Sequence, residues 1–307
     1  MRFFATTLNQ MMLLFIFIII GFMLNRSGII ANGADIVISR LENFVFVPAL
    51  VINSFQTRCT VENLSKSAGS LVYSLLILGF SVIIGFWLAP RFAHSKEEIG
   101  IFRYSMAVTN FGFMGNSLVM GLLGEDALFN YLIFCLPMNL FIYSVGVIWL
   151  TAGKRKFNLG MLVNPMFISL IIGAVLGLTG CPLPSFLSNS ISSAAACYSP
   201  LAMILTGYVI AKFDFKMLFS KKNIYVLSVL RLLILPVIIL VIMNLFNVPS
   251  EIKVLGMFAS AMPLGLNTIV FPAAYGGDET SGASMALISN IMGIITVPIL
   301  LGVVLNL

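Results

Sequence analysis

The stretch NFGFMGNSLVMGLLG, Asn110 to Gly124, sets two Asn, one Ser and four Gly inside an apolar run. A second stretch, AMPLGLNTIVFPAAYGG, carries Pro263, Gly265, Asn267, Thr268 and Pro272. Asn amides and Thr or Ser hydroxyls supply hydrogen-bond donors without fixed charge. Gly permits bends and Pro removes a backbone donor, so helices are expected to break at Gly112, Gly115, Pro263 and Pro272. A broken helix presents free amides at its new N-terminus, and these attract anions. The candidate anion-binding set is therefore Asn110, Gly115, Asn116, Ser117, Pro263, Asn267 and Thr268, with Asn43 approaching from the side. The same residues could instead only kink or pack helices. Their occurrence at equivalent places in two halves of the chain favours the binding reading.

Other chemistries find little support. The single His, His94, sits in a polar stretch with Lys96, Glu97 and Glu98, and neither HExxH nor GxSxG occurs. This argues against an enzyme. The four Cys form no CxxC, so no metal or other cofactor is expected. Cys135 and Cys197 read as apolar filler, while Cys59 and Cys181 fall near membrane edges on one expected side, which leaves a bridge between them open.

The elements that position these residues follow from composition. The chain of 307 residues is 60% hydrophobic and 9% charged, with mean hydropathy +1.07. Soluble domains carry roughly 25% charged residues, so this chain belongs in a bilayer, expected to be the cell (plasma or inner) membrane. The net charge of +6 then speaks of topology and not of nucleic acid. The first apolar run lacks a basic leader beyond Arg2 and a small-residue cleavage site, and is expected to be a retained helix. A crossing takes about 20 apolar residues. Spans are expected near 6–25, 35–56, 67–90, 98–123, 128–150, 160–180, 184–211, 224–246, 252–276 and 281–305, ten in all. With ten spans both termini share one side. That side holds Arg2, Arg58, Lys66 and Lys253, against twelve Lys and Arg on the other, with Arg231 inside the eighth span. Basic loops stay cytoplasmic, so both termini are expected outside.

The halves resemble each other. Gly21 and Gly173 are 152 residues apart, and so are Pro48 and Pro200, Gly124 and Gly276, and Asp126 and Asp278. This points to a duplication, with residues 1–150 as one five-span unit and 151–307 as the second. An odd number of spans inverts the second copy. Inverted repeats with discontinuous helices meeting near the midplane are a transporter architecture. The expected fold is all-α and integral to the membrane, with broken helices 4 and 9 crossing at the midplane.

No Asp or Glu falls near the centre of any expected span; Glu42 lies within about two turns of the start of span 2. Carriers driven by protons or sodium need a buried carboxylate. Its lack argues for an uncoupled facilitator, and a potential of 100 mV drives each negative charge outward by about 2.3 kcal/mol. Arg231, two turns inside span 8, is expected either to attract anions to an inner vestibule or to snorkel to the headgroups.

These motifs resemble those of the auxin efflux carrier family, which includes plant PIN carriers and bacterial malate- and malonate-type permeases. The resemblance covers nearly the whole chain. It rests on Asn110, Gly115 and Gly124 in the fourth span, and on Pro263, Asn267, Val270, Phe271, Tyr275 and Asp278 in the ninth. ENFVFVPAL at Asn43 and Pro48, RLLILP at Arg231 and Pro236, and Asn164–Pro165 add to it. Ser117 departs from the pattern, because the family usually has Pro there, and Thr268 stands where plant members have Pro. The resemblance implies a scaffold of spans 1, 2, 6 and 7, often a homodimer interface, and a transport domain of spans 3–5 and 8–10. It implies export of organic anions by an elevator-like motion; small mono- or dicarboxylates suit the short loops. The alternatives are a proton- or sodium-coupled carrier of the same fold, and a transport-inactive membrane sensor.

Overall fold

The structure is a computed structural model that describes residues 2–156 and 158–306. The described residues form helices joined by short loops, with no strand among them. Lipid offers no partner to a backbone N–H, so each apolar segment must bond its own backbone. The helices, numbered by expected span, are α1 (Arg2–Arg26), α2 (34–58), α3 (Val61–Phe92), α4a (Lys96–Ala107), α4b (111–123), α5 (125–150), α6 (Pro165–Thr179), α7 (Ser185–Ile210), α8 (222–245), α9a (Ser250–Ser260), α9b (Asn267–Tyr275) and α10 (Glu279–Val304). Their ends follow side-chain chemistry. Thr60, Ser95, Asn164 and Asp278 are N-caps, accepting from the amides of Asn63 (3.1 Å), Glu98 (3.1 Å), Phe167 (3.1 Å) and Ser281 (2.9 Å).

Among the described residues, six helices are long and apolar enough to cross a membrane, and a seventh follows if α5, bent by 44° at Cys135, is one span. The other three expected spans fall short of that measure. α6 has 15 residues, α9a and α9b are separated by 261–266, and α2 is punctuated by Glu42, Asn43 and Asn53.

Burial is patterned for lipid. On α3, Ser67, Ser70, Ser74, Ser81 and Gly85 face inward, while Val72, Leu75, Leu76 and Ile83 are exposed. Small residues inside let helices approach closely, and large apolar ones outside suit acyl chains. α1 packs on α7, α6 on α2, and α7 on α2, so these four helices form one contiguous layer. The α1–α7 pair closes through two glycines: a Cβ at Gly21 would lie 1.9 Å from the Ile204 carbonyl oxygen, and one at Gly207 would lie 1.8 Å from that of Ile18. Gly173 and Gly177 do the same for α6 against Phe55 and Cys59 of α2 and its end. Cys59 is buried and Cys181 exposed, and both are free thiols.

Among the described residues four π turns interrupt the helices, at Glu42–Phe46, Phe111–Gly115, Ile142–Gly146 and Leu230–Ile234. Such turns cluster at functional sites. Here each one carries a residue of the helix crossing or of the cavity beside it.

Candidate functional site at the helix crossing

α4a ends at Ala107 and α9a at Ser260, and the chain then runs non-helically through 108–110 and 261–266 before α4b and α9b begin. The two breaks touch. The Asn110 backbone N–H donates to the Pro263 carbonyl at 2.7 Å, and Thr109 Oγ1 donates to the Ala259 carbonyl at 2.7 Å. A Cβ on Gly265 would sit 3.1 Å from the Asn110 side chain, so glycine is what lets the strands of the crossing meet. α10 braces the ninth-segment break: Leu264 N–H donates to Ser289 Oγ (3.0 Å), and Asn290 Nδ2 donates to the Leu264 carbonyl (3.0 Å). Backbone groups stripped of helical partners are thus paired, as burial requires.

Arg231 is not a vestibule residue. It is 2% exposed, and its Nη1 donates to the Ser260 carbonyl at 2.7 Å. A cation at the C-terminal end of α9a offsets the partial negative charge of that helix end. The side chain is thus bonded within the crossing and does not line the asparagine-lined cavity described below. Arg231→Gln should therefore lower thermal stability by about 1–2 kcal/mol, the scale of a charged cap, and leave anion affinity unchanged. A raised KM with unchanged melting would restore the attractor reading.

Pro272 also lies elsewhere than expected. It sits inside α9b, which continues through it to Tyr275. Lacking an N–H, it leaves the Thr268 carbonyl free of its helical donor. Gly282 of α10 packs against that carbonyl so closely that a Cβ would lie at 1.8 Å. Gly112 and Gly115 fall in the π turn after the fourth-segment break and not in the break itself. Gly115 packs on the Tyr131 hydroxyl, 2.3 Å from where a Cβ would be, and lines no cavity. Ser117 Oγ donates to the Phe113 carbonyl at 2.5 Å, and Thr268 Oγ1 to the carbonyls of Gly265 and Gly282. These two hydroxyls are spent on backbone. The break thus holds without the family's proline, with Asn110 of one segment paired to Pro263 of the other.

A cavity opens beside the crossing. It measures about 120 Å³, on a scale where one water takes ~10–15 Å³, so it admits a molecule of several non-hydrogen atoms. Six asparagines line it: Asn43, Asn110, Asn116, Asn139, Asn164 and Asn267. Of the expected set, Asn43, Asn110, Gly112, Asn116 and Asn267 meet there; Gly115, Ser117, Pro263 and Thr268 do not. No charged side chain lines it among the described residues. Asn267 Nδ2 donates to the Tyr104 hydroxyl (3.0 Å), and Asn43 Nδ2 to the Ser39 carbonyl (2.9 Å). Asn110 Nδ2 has no partner and is buried. The N-terminal residues of α4b's leading turn, of α9b and of α6 all border the cavity, through Phe111–Phe113, Leu266–Asn267 and Asn164–Met166. The arrangement offers an anion amide donors and helix N-termini without a full positive charge.

Sequence reading missed Tyr104, Asn139, Tyr143 and Tyr198, which line the cavity too. Residue type alone does not say which face of its helix each occupies. Tyr198 matters for access. With Asn116 and Leu50 it also lines a second cleft bounded by Asn53, Glu125 and Ser192. Asn116 Nδ2 donates to its hydroxyl (3.4 Å), and its ring lies 5.4 Å from that of Phe113. Cavity and cleft are thus separated by a few side chains.

One carboxylate is buried where none was expected. Glu42 is 0% exposed, in the π turn of α2, four residues from the middle of that helix. Among the described residues no group of three or more His, Cys, Asp or Glu could hold a metal ion.

The membrane transport protein family matches the chain twice, over residues 6–158 and 149–301. An uncharacterized transporter of Methanocaldococcus jannaschii is 21% identical over 310 residues, covering 97% of this chain and 99% of that one. A helical chain of this hydropathy, matched over almost its whole length, belongs to the membrane transport protein family, that of the auxin efflux carriers, and is a multi-pass membrane transporter.

Proposed function

We propose that the protein is a secondary carrier of small organic anions, mono- or dicarboxylates, that binds them in the asparagine-lined cavity at the crossing of α4a/α4b with α9a/α9b. The observation that carries this reading is the cavity's lining: six amides and three helix N-termini, with no charged side chain. Such donors can hold a carboxylate and still release it, as carriage requires, whereas a buried ion pair would hold it too well. The substrate-binding roles fall to Asn110, Asn116 and Asn267 first, and to Asn43 from the flanking layer. Alternating access would proceed by motion of the crossing, with its bracing helices, against the layer of α1, α2, α6 and α7, while the Tyr198–Asn116 contact parts. On this reading the chain crosses the plasma or inner membrane ten times, as two inverted units with both termini outside. The layer also offers a surface for a second copy.

The test is uptake of radiolabelled malate, malonate, succinate, lactate and indole-3-acetate into proteoliposomes. Saturable uptake of one or two small carboxylates above empty vesicles is expected. Uptake of none of them, with or without imposed proton and sodium gradients, would overturn the reading.

A further inference from the structure

The sequence alone suggested a carrier without a coupling carboxylate, and Glu42 removes that premise. Its side chain is completely buried, and neither carboxylate oxygen has a hydrogen-bond partner among the described residues. The elements around it offer no cation. α7 carries Tyr198, Cys197 and Tyr208; α6 carries no titratable group; α2 itself carries Asp35, Arg40 and Arg58. Asp35 pairs with Lys212 (2.6 Å), Arg58 pairs with Glu125 and Asp126 at the far end of α2, and Arg40 is exposed. Tyr208 donates to the Ala31 carbonyl, and Cys197 is exposed. Tyr198, which lies within electrostatic range of Glu42, is the group that also borders both the cavity and the second cleft. The next residue, Asn43, lines the cavity.

An ionised carboxylate buried without cation or donor is too costly to persist, and the group takes up a proton instead. An anion in the neighbouring cavity strengthens that demand. Two unit charges ~10 Å apart at an effective dielectric of ~20 shift each other's occupancy on the order of tenfold. Linkage is reciprocal, so a proton on Glu42 must favour the anion as the anion favours the proton.

We propose that Glu42 is a proton-binding site linked to anion occupancy of the adjacent cavity, so that the anion binds best when Glu42 is protonated. This rests on the anion-carrier reading above. Glu42 binds the proton reversibly at a carboxylate oxygen and forms no covalent bond to substrate.

The experiment compares wild type with Glu42→Gln in proteoliposomes, with labelled lactate and malate as probes, over a series of external pH values at fixed voltage. Wild-type uptake at low substrate should fall with rising pH, by about tenfold in all as Glu42 loses its proton. The glutamine, a permanently neutral isostere, should carry the same anions with no such pH dependence. A wild type indifferent to pH, or a variant that keeps the wild-type pH dependence, overturns the proposal. If the variant is inactive, infrared difference spectra of the wild type decide. A protonated-carboxyl band that grows on adding lactate supports the linkage, and a band that lactate leaves unchanged overturns it. If the wild type carries none of the anions, the carrier reading fails and the coupling falls with it, while that band alone still reports whether Glu42 holds a proton.

Discussion

Gly207→Val should leave little folded protein. The Cβ it introduces would meet the Ile18 carbonyl oxygen at 1.8 Å and the Phe22 nitrogen at 2.8 Å, both backbone atoms of α1. No rotamer relieves a backbone contact, so α1 and α7 must separate along their whole interface. Overpacking a well-fitted site costs ~1–3 kcal/mol when side chains can yield, and this site is worse because none can. Total stabilities are about 5–15 kcal/mol, and helices in lipid associate largely through close packing. The expected result is a melting temperature in detergent lowered by many degrees, or no monodisperse protein at all. Gly79→Ala is the control. It also lies in a long helix, but its Cβ would meet nothing within 4 Å. It should be neutral or stabilising by up to ~1 kcal/mol, from helix propensity. If both variants melt like wild type, the α1–α7 contact is not the tight one described.

Asn110→Ala should abolish most anion flux and leave the protein folded. The side-chain amide has no partner and borders the cavity. The residue's structural bond to Pro263 is made by its backbone N–H, which alanine keeps. A hydrogen bond to a charged group contributes ~1.5–3 kcal/mol, which corresponds to about 10- to 150-fold in affinity. The loss should fall on KM at low substrate, with melting unchanged. Asn267→Ala should lose flux as well, but it also frees the Tyr104 hydroxyl it now engages, so some loss of stability should accompany it. Asn110→Ala with undiminished uptake would move the binding site away from the crossing.

Some of this was legible in the chain because it is local. Hydropathy places a helix in lipid whatever it touches, and Pro263 with Gly265 loosens a backbone wherever the segment sits, which is why the ninth-segment break lies where the residues said. The rest depends on which faces meet. Pro272 sits within α9b, and Gly282 of the following helix packs on the carbonyl it leaves free. Arg231 caps α9a because the π turn of α8 aims it at Ser260, 29 residues away. Asn139, Asn164, Tyr104 and Tyr198 share a cavity with Asn110 although they come from four different helix segments. Composition and periodicity carry no record of helix rotation, so the chain by itself determined a bilayer protein with two broken helices. Only the packing of those helices decided which amides meet, which cation is buried, and that Glu42 has no partner.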